Sequence, residues 1–208
     1  EVNGWTVWYE RFGSGPKPVL LLSGAIGTGR TDFMPQLEGE YALDFEKFTI
    51  IAVEAPGWGR SRPPVRKYGI NTYNNDAQCF HAVMGCLGYE RYSIIGWSDG
   101  AKVALLMAVQ YSQCVESMVL TAISTYVSDS CLKFFKSAQN IECWGEEKVN
   151  AYLKCYETKT EIQNLWNRFV RFAEFYNQYF PEDMYKNRYH LIQFPVLVLH
   201  GQRVSHFT

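Results

Sequence analysis

Short, mainly apolar runs recur along the chain at residues 19–22, 48–53, 92–95, 118–122 and 194–200, each bounded by glycine, proline or polar residues. Runs of this length without strict alternation predict strands covered on both faces. Residues 5–11 alternate instead, with Val7 and Tyr9 on one face, and predict a more exposed first strand that ends in the turn Gly13-Ser14-Gly15-Pro16. Two stretches carry the helical period. Residues 74–87 repeat Ala77, Phe80, Met84 and Leu87, and residues 101–111 form a second apolar helix. Strands alternating with helices predict an α/β fold: a mostly parallel sheet with helices on both faces.

The pattern changes after Ser128. Leu165, Phe169, Phe172 and Tyr176 share a helical face, with Trp166 and Ala173 beside it, and Trp144, Tyr152, Tyr156, Tyr179 and Phe180 add further rings. This predicts a helical cap, at about residues 128–190, inserted between two sheet strands of a single domain spanning 1–208. The aromatic stripe is expected to pack the cap, with substrate contact as the alternative role for some of its rings.

Composition narrows the function. The chain has 208 residues, is 47% hydrophobic and carries a net charge of -1, enough for one sizeable core and without the basic bias of a nucleic-acid or membrane-surface binder. No nucleic-acid or membrane partner is therefore expected, and the chain, if folded, is expected to be a monomer. Six cysteines lack any Cys-x-x-Cys spacing, so they read as reduced thiols of an intracellular protein, in cytoplasm or mitochondrion, rather than as disulfides or metal ligands. The start at Glu1, with the hairpin turn Asn3-Gly4 so close to it, reads as trimming or an incomplete gene model at the N-terminus.

The candidate chemistry lies in Gly96-Trp97-Ser98-Asp99-Gly100, between the run 92–95 and the helix 101–111. A Gly-x-Ser-x-Gly in a strand–turn–helix setting is a nucleophile elbow: a tight turn pushes the serine hydroxyl out of the sheet, and small flanking residues let strand and helix pass closely. A serine nucleophile of this kind needs two backbone N–H groups aimed at the developing oxyanion. One comes from the residue after it, Asp99, and the other from the loop after the first buried strand, where Ala25 follows Ser23-Gly24. The Asp99 carboxylate has two roles open to it, pairing with a substrate ammonium or stabilisation by the helix dipole.

The sequences Leu20-Leu21-Leu22-Ser23-Gly24, Thr31-Asp32-Phe33 with Pro35-Gln36-Leu37, Pro56-Gly57-Trp58-Gly59 with Ser61-Arg62-Pro63-Pro64, Gly96-Trp97-Ser98-Asp99-Gly100 and Tyr126-Val127-Ser128-Asp129 resemble those of the valacyclovir-hydrolase (biphenyl hydrolase-like) family. The resemblance implies the α/β-hydrolase fold and a serine hydrolase acting on esters. It also implies a preference for α-amino-acid esters, no cofactor, Ser98 as nucleophile and Asp99 as the partner of the substrate ammonium.

The triad order in such folds is Ser, then Asp or Glu, then His. The family's acid follows a strand ending His-Gly, in the pattern His-Gly-x-x-Asp. Here the stretch is His200-Gly201-Gln202-Arg203-Val204, with Val204 at the acid position, and the family's later histidine loop and last helix are not matched. His81, His190 and His200 read as structural or surface residues, and His206 comes too early in the chain to replace the family histidine. The expectation is a truncated serine esterase, inactive or strongly impaired; the alternative is a non-catalytic fragment, splice product or pseudoenzyme with at most a binding role. A dinucleotide-binding reading of Gly24, Gly27 and Gly29 with Glu54 fails on glycine spacing and on Pro35, which interrupts the required helix.

Overall fold

The computed structural model describes residues 1–2, 4–180, 182–183, 185 and 188–201. Asn3, Val204 and His206 lie outside the described residues. The described residues fall into two compact units, one within 1–123 and 188–200 and the other within 124–185 with Gly201.

The first unit is an α/β layer. In chain order it contains β1 (Tyr9–Phe12), β2 (Lys17–Leu22), α1 (Gly29–Asp32), α2 (Met34–Leu37), β3 (Phe48–Val53), α3 (Thr72–Cys86), β4 (Tyr92–Trp97), α4 (Asp99–Gln110) and β5 (Val115–Thr121). The second unit supplies α5 (Asp129–Ser137), α6 (Glu146–Leu153) and α7 (Lys159–Tyr179), and the chain returns to the sheet as β6 (Val196–Leu199). The strand order is β1-β3-β2-β4-β5-β6. Only β1 runs antiparallel to its neighbour, with Tyr9 opposite Val53. The other pairings are parallel, as in Leu22 opposite both Val53 and Gly96.

The apolar strands β2 and β3 are covered on both sides, but β6 corrects the expectation for residues 194–200: it lies at the end of the strand order, paired on one side with β5, and its four apolar residues are all exposed. Leu20, Leu21, Ile50, Ile51 and Ile94 are fully buried. Val19, Leu21, Ile50 and Ala52 form one core face with Phe33 and Leu37. The helix α4 is buried from Asp99 to Val109 and lies against β2, β4 and β5.

The first strand departs from the expected range. The ladder starts at Tyr9 rather than Trp5, because the backbone before it is bonded elsewhere. Val2 and Trp5 close a turn by exchanging two bonds of 2.8 and 2.9 Å, and Trp8 N donates to Ser61 Oγ at 2.8 Å. In the second unit the predicted face Leu165, Phe169, Phe172 and Tyr176 is buried. Its rings meet others of the same unit: Trp166 stands perpendicular to Trp144 at 5.0 Å, and Phe169 edge-on to Phe135 at 5.2 Å. Among the described residues, no helix is long and apolar enough to cross a membrane.

Candidate active site

The strand order places the site. β2 is followed in sequence by β3 on one side and is bonded to β4 on the other, so the crevice at the carboxyl ends of β2 and β4 is the topological switch point where open α/β sheets bind ligands. Ser98 stands at that end of β4. Its φ is 53° and its ψ is -113°, a left-handed conformation that a residue with a Cβ holds only under constraint. The constraints are visible. Ser98 N donates to Thr121 O at 2.9 Å, and Ala101 N closes the turn on Ser98 O at 3.1 Å.

Crowding explains the flanking glycines. A Cβ on Gly100 would press on the backbone carbonyls of Leu22 and Ser23, and one on Gly96 would lie 2.7 Å from Ala101 Cα. A Cβ on Gly24 would lie 2.8 Å from the Trp97 ring and 3.4 Å from Ser98 Cβ. The loop after β2 therefore runs directly alongside the serine.

That loop is pinned by a residue whose role the motif reading leaves unstated. Asp32 accepts from Gly24 N at 2.8 Å and from Thr31 Oγ1 at 2.9 Å. Thr28 and Thr31 form a reciprocal capping box at the start of α1. Ala25 occupies the turn between Gly24 and Gly27, whose N–H donates to Gly24 O at 3.0 Å. Thr28-x-x-Thr31 followed by Asp32 is the local signal that marks this helix in the sequence.

Relieving the elbow should show in stability. Ser98→Gly is expected to stabilise the fold by about 1 kcal/mol, since left-handed strain of about 1–3 kcal/mol outweighs the glycine entropy cost of about 0.5–1 kcal/mol. Urea unfolding measures it, and a lower midpoint in the variant would mean that the turn is unstrained.

Asp99 is the first residue of α4 and is 3% exposed. Its Oδ1 accepts from Tyr73 Oη at 2.6 Å and lies 3.5 Å from Lys102 Nζ, itself buried. Beside this group lies a second buried pair. Arg66 grips Asp76 with both nitrogens of its fork, one bond being Nη1 to Oδ1 at 3.0 Å, and also donates to Pro56 O at 2.9 Å. Its guanidinium stacks over Trp58 at 4.2 Å. Burial pushes the Asp76 carboxyl above its ordinary value against the opposing pull of Arg66. Asp76 and Asp99 line one small cavity of about 10 Å³, together with Ser23, Gly27, Ala55, Trp58 and Phe80.

The remaining sequence candidates are dispersed. His81 packs its ring on Tyr111 at 3.8 Å and its Nδ1 lies 3.1 Å from Tyr92 Oη; burial lowers its pKa. His190 sits in a one-turn 3-10 segment and is exposed, as is His200 just after β6. Among the described residues no hydrogen bond joins Ser98 Oγ to a histidine. Among the described residues no cysteine is in a disulfide, and burial raises the Cys79 thiol to about 12, which makes it inert. Among the described residues, no group of three His, Cys, Asp or Glu side chains could hold a metal ion.

Parallel sheet, strained serine turn and glycine-lined switch point define an α/β-hydrolase. The chain belongs to the alpha/beta hydrolase fold family, whose profile matches residues 17–141. It is similar to the serine hydrolase BPHL of Mus musculus, with 30% identity over 202 residues covering 97% of this chain and 68% of that protein. The Homo sapiens serine hydrolase BPHL is 31% identical over 205 residues, with the same coverage. In three dimensions the chain matches a Vigna radiata epoxide hydrolase mutant at TM-score 0.66 and 17% identity, covering 97% of this chain and 79% of the other. That last likeness concerns the fold alone.

Proposed function

We propose that the first unit carries the site of a serine esterase acting on a small-molecule ester, with Ser98 as nucleophile and the backbone N–H groups of Ala25 and Asp99 as the oxyanion hole. The observation that carries this reading is the left-handed Ser98 turn with the Gly24 loop packed against it. An N–H at the start of α4 has no partner within the helix, so Asp99 N is available to an oxyanion. The BPHL relatives support a serine hydrolase. The reading invokes no cofactor.

The same reading holds that the 208-residue chain works poorly. A serine hydroxyl needs a base to take its proton and an acid to orient the base. Within residues 1–201, His81 is committed to Tyr92 and Tyr111, and His190 and His200 lie exposed in other settings. The preference for α-amino-acid esters carried by the resemblance would use Asp99, but a substrate ammonium there has to compete with Lys102.

A fluorophosphonate probe tests the nucleophile. The 208-residue chain is expected to show no stoichiometric labelling. Strong labelling that disappears in Ser98→Ala would overturn the impaired state and establish a working base.

A further inference from the structure

The residue next to the nucleophile already holds an ammonium. Asp99 Oδ1 faces Lys102 Nζ at 3.5 Å and takes the Tyr73 hydroxyl, and Lys102 Nζ also lies over the Tyr73 ring at 5.6 Å. Lys102 is 4% exposed and its neighbours on α4 are Ala101, Val103, Ala104 and Leu105. A lysine in such a helix stays buried only if its charge finds a partner, and Asp99 is that partner. The adjacent pair, Arg66 and Asp76, is likewise buried and closed on itself. Asp76 and Asp99 both line the cavity described above, and each is paired with its own buried cation.

Room is as limited as charge. The cavity beside Asp99 and Asp76 measures about 10 Å³, space for about one water. Ser23 Oγ lines it, buried and without a hydrogen-bond partner among the described residues, so a water there has a polar group to meet. An α-ammonium entering this place would lose its hydration and meet a carboxylate whose charge is already balanced by Lys102 and whose Oδ1 is engaged.

We infer that Lys102 is a specificity residue: as the resident counter-ion of Asp99, it makes the Ser98 site select esters whose acyl group is uncharged. This rests on the reading of Ser98 as an ester nucleophile. The discrimination works by leaving an added cation unpaired, not by attracting a neutral group more strongly.

The test compares two amides of the same shape, L-phenylalaninamide and 3-phenylpropanamide, which differ only in the α-ammonium. Both are titrated into the full 208-residue chain at about pH 6, where the α-amine is mainly protonated, and followed by amide NMR shifts, which requires no turnover. The unmodified chain is expected to bind 3-phenylpropanamide at least about tenfold more tightly, the penalty of an unpaired charged group. Lys102→Met keeps the side chain long and unbranched, frees Asp99, and should reverse the order. The double variant Asp99→Asn with Lys102→Met, which buries no charge at this place, should bind the neutral amide preferentially again. If Lys102→Met does not fold, the unmodified chain and the double variant decide. Equal or tighter binding of L-phenylalaninamide by the unmodified chain, or a folded Lys102→Met that still prefers the neutral amide, overturns the inference and leaves the ester site standing. Failure of all three proteins to bind either amide overturns the ester-site reading itself.

Discussion

Asp76→Ala should lower the unfolding free energy by about 3–5 kcal/mol, the usual result of stripping one partner from a buried ion pair. Arg66 would keep its place over Trp58 and its bond to Pro56 O, but the guanidinium would lose the carboxylate that meets both its terminal nitrogens. Both residues are buried, and small cavities of about 50 and 10 Å³ adjoin them, so water can replace that partner only in part. The loss is large against a domain stability of about 5–15 kcal/mol. Replacing both residues, as Arg66→Met with Asp76→Leu, should cost far less, because no charge is left stranded. Urea unfolding of the single and double variants separates the two cases. A single-variant loss below about 1 kcal/mol would show the pair to be solvated, contrary to its burial.

Joining to Gly201 a C-terminal segment that carries the aspartate and histidine of the family pattern should raise ester hydrolysis by about 10⁴-fold, the scale lost when a triad is broken. The gain should vanish with Ser98→Ala. A base supplies the proton acceptor, while the turn and the Gly24 loop are already present in the 208-residue chain. Hydrolysis of a neutral ester is the measurement, and a cooperative melt shows that the joined protein is folded. A folded, inert protein with Ser98 exposed would refute the assignment of Ser98 as a nucleophile.

Local pattern is enough to place much of this fold. β3 fills its apolar run, and β2, β4, β5 and β6 overlap theirs; β2 and β3 are read easily because burial on both faces leaves few polar positions, whereas β6 is apolar although it is exposed at the sheet edge. Gly96 to Gly100 announces the elbow for the same reason that it packs: no side chain fits at its two ends. The short helices α1 and α2 escape a reading based on period, since four residues cannot display one; their signals are the Thr28–Thr31 box and Pro35 in the first turn of α2. The buried charge cluster is harder to foresee. Asp76 shares the α3 face of Ala77 and Phe80, and Lys102 interrupts an apolar helix. Each is anomalous alone, but Arg66 and Tyr73 explain them only through contacts made in three dimensions. Asp99 illustrates the limit best: a carboxylate beside a nucleophile points to a ligand cation in sequence, and the fold supplies the cation from one helical turn away.

The glycines around Ser98 bear on how such chains age. Gly100 is hemmed in by the Leu22 and Ser23 carbonyls, Gly96 by Ala101, and Gly24 by the Trp97 ring. A copy released from any demand for catalysis would still be purged of substitutions there, because each would damage the sheet before it touched the chemistry. Ser98 itself is under no such restriction, since glycine suits its backbone at least as well. In a lineage drifting without selection for hydrolysis, the serine should therefore be lost before the glycines, and a serine that persists in descendants of this chain would be the sign of retained use.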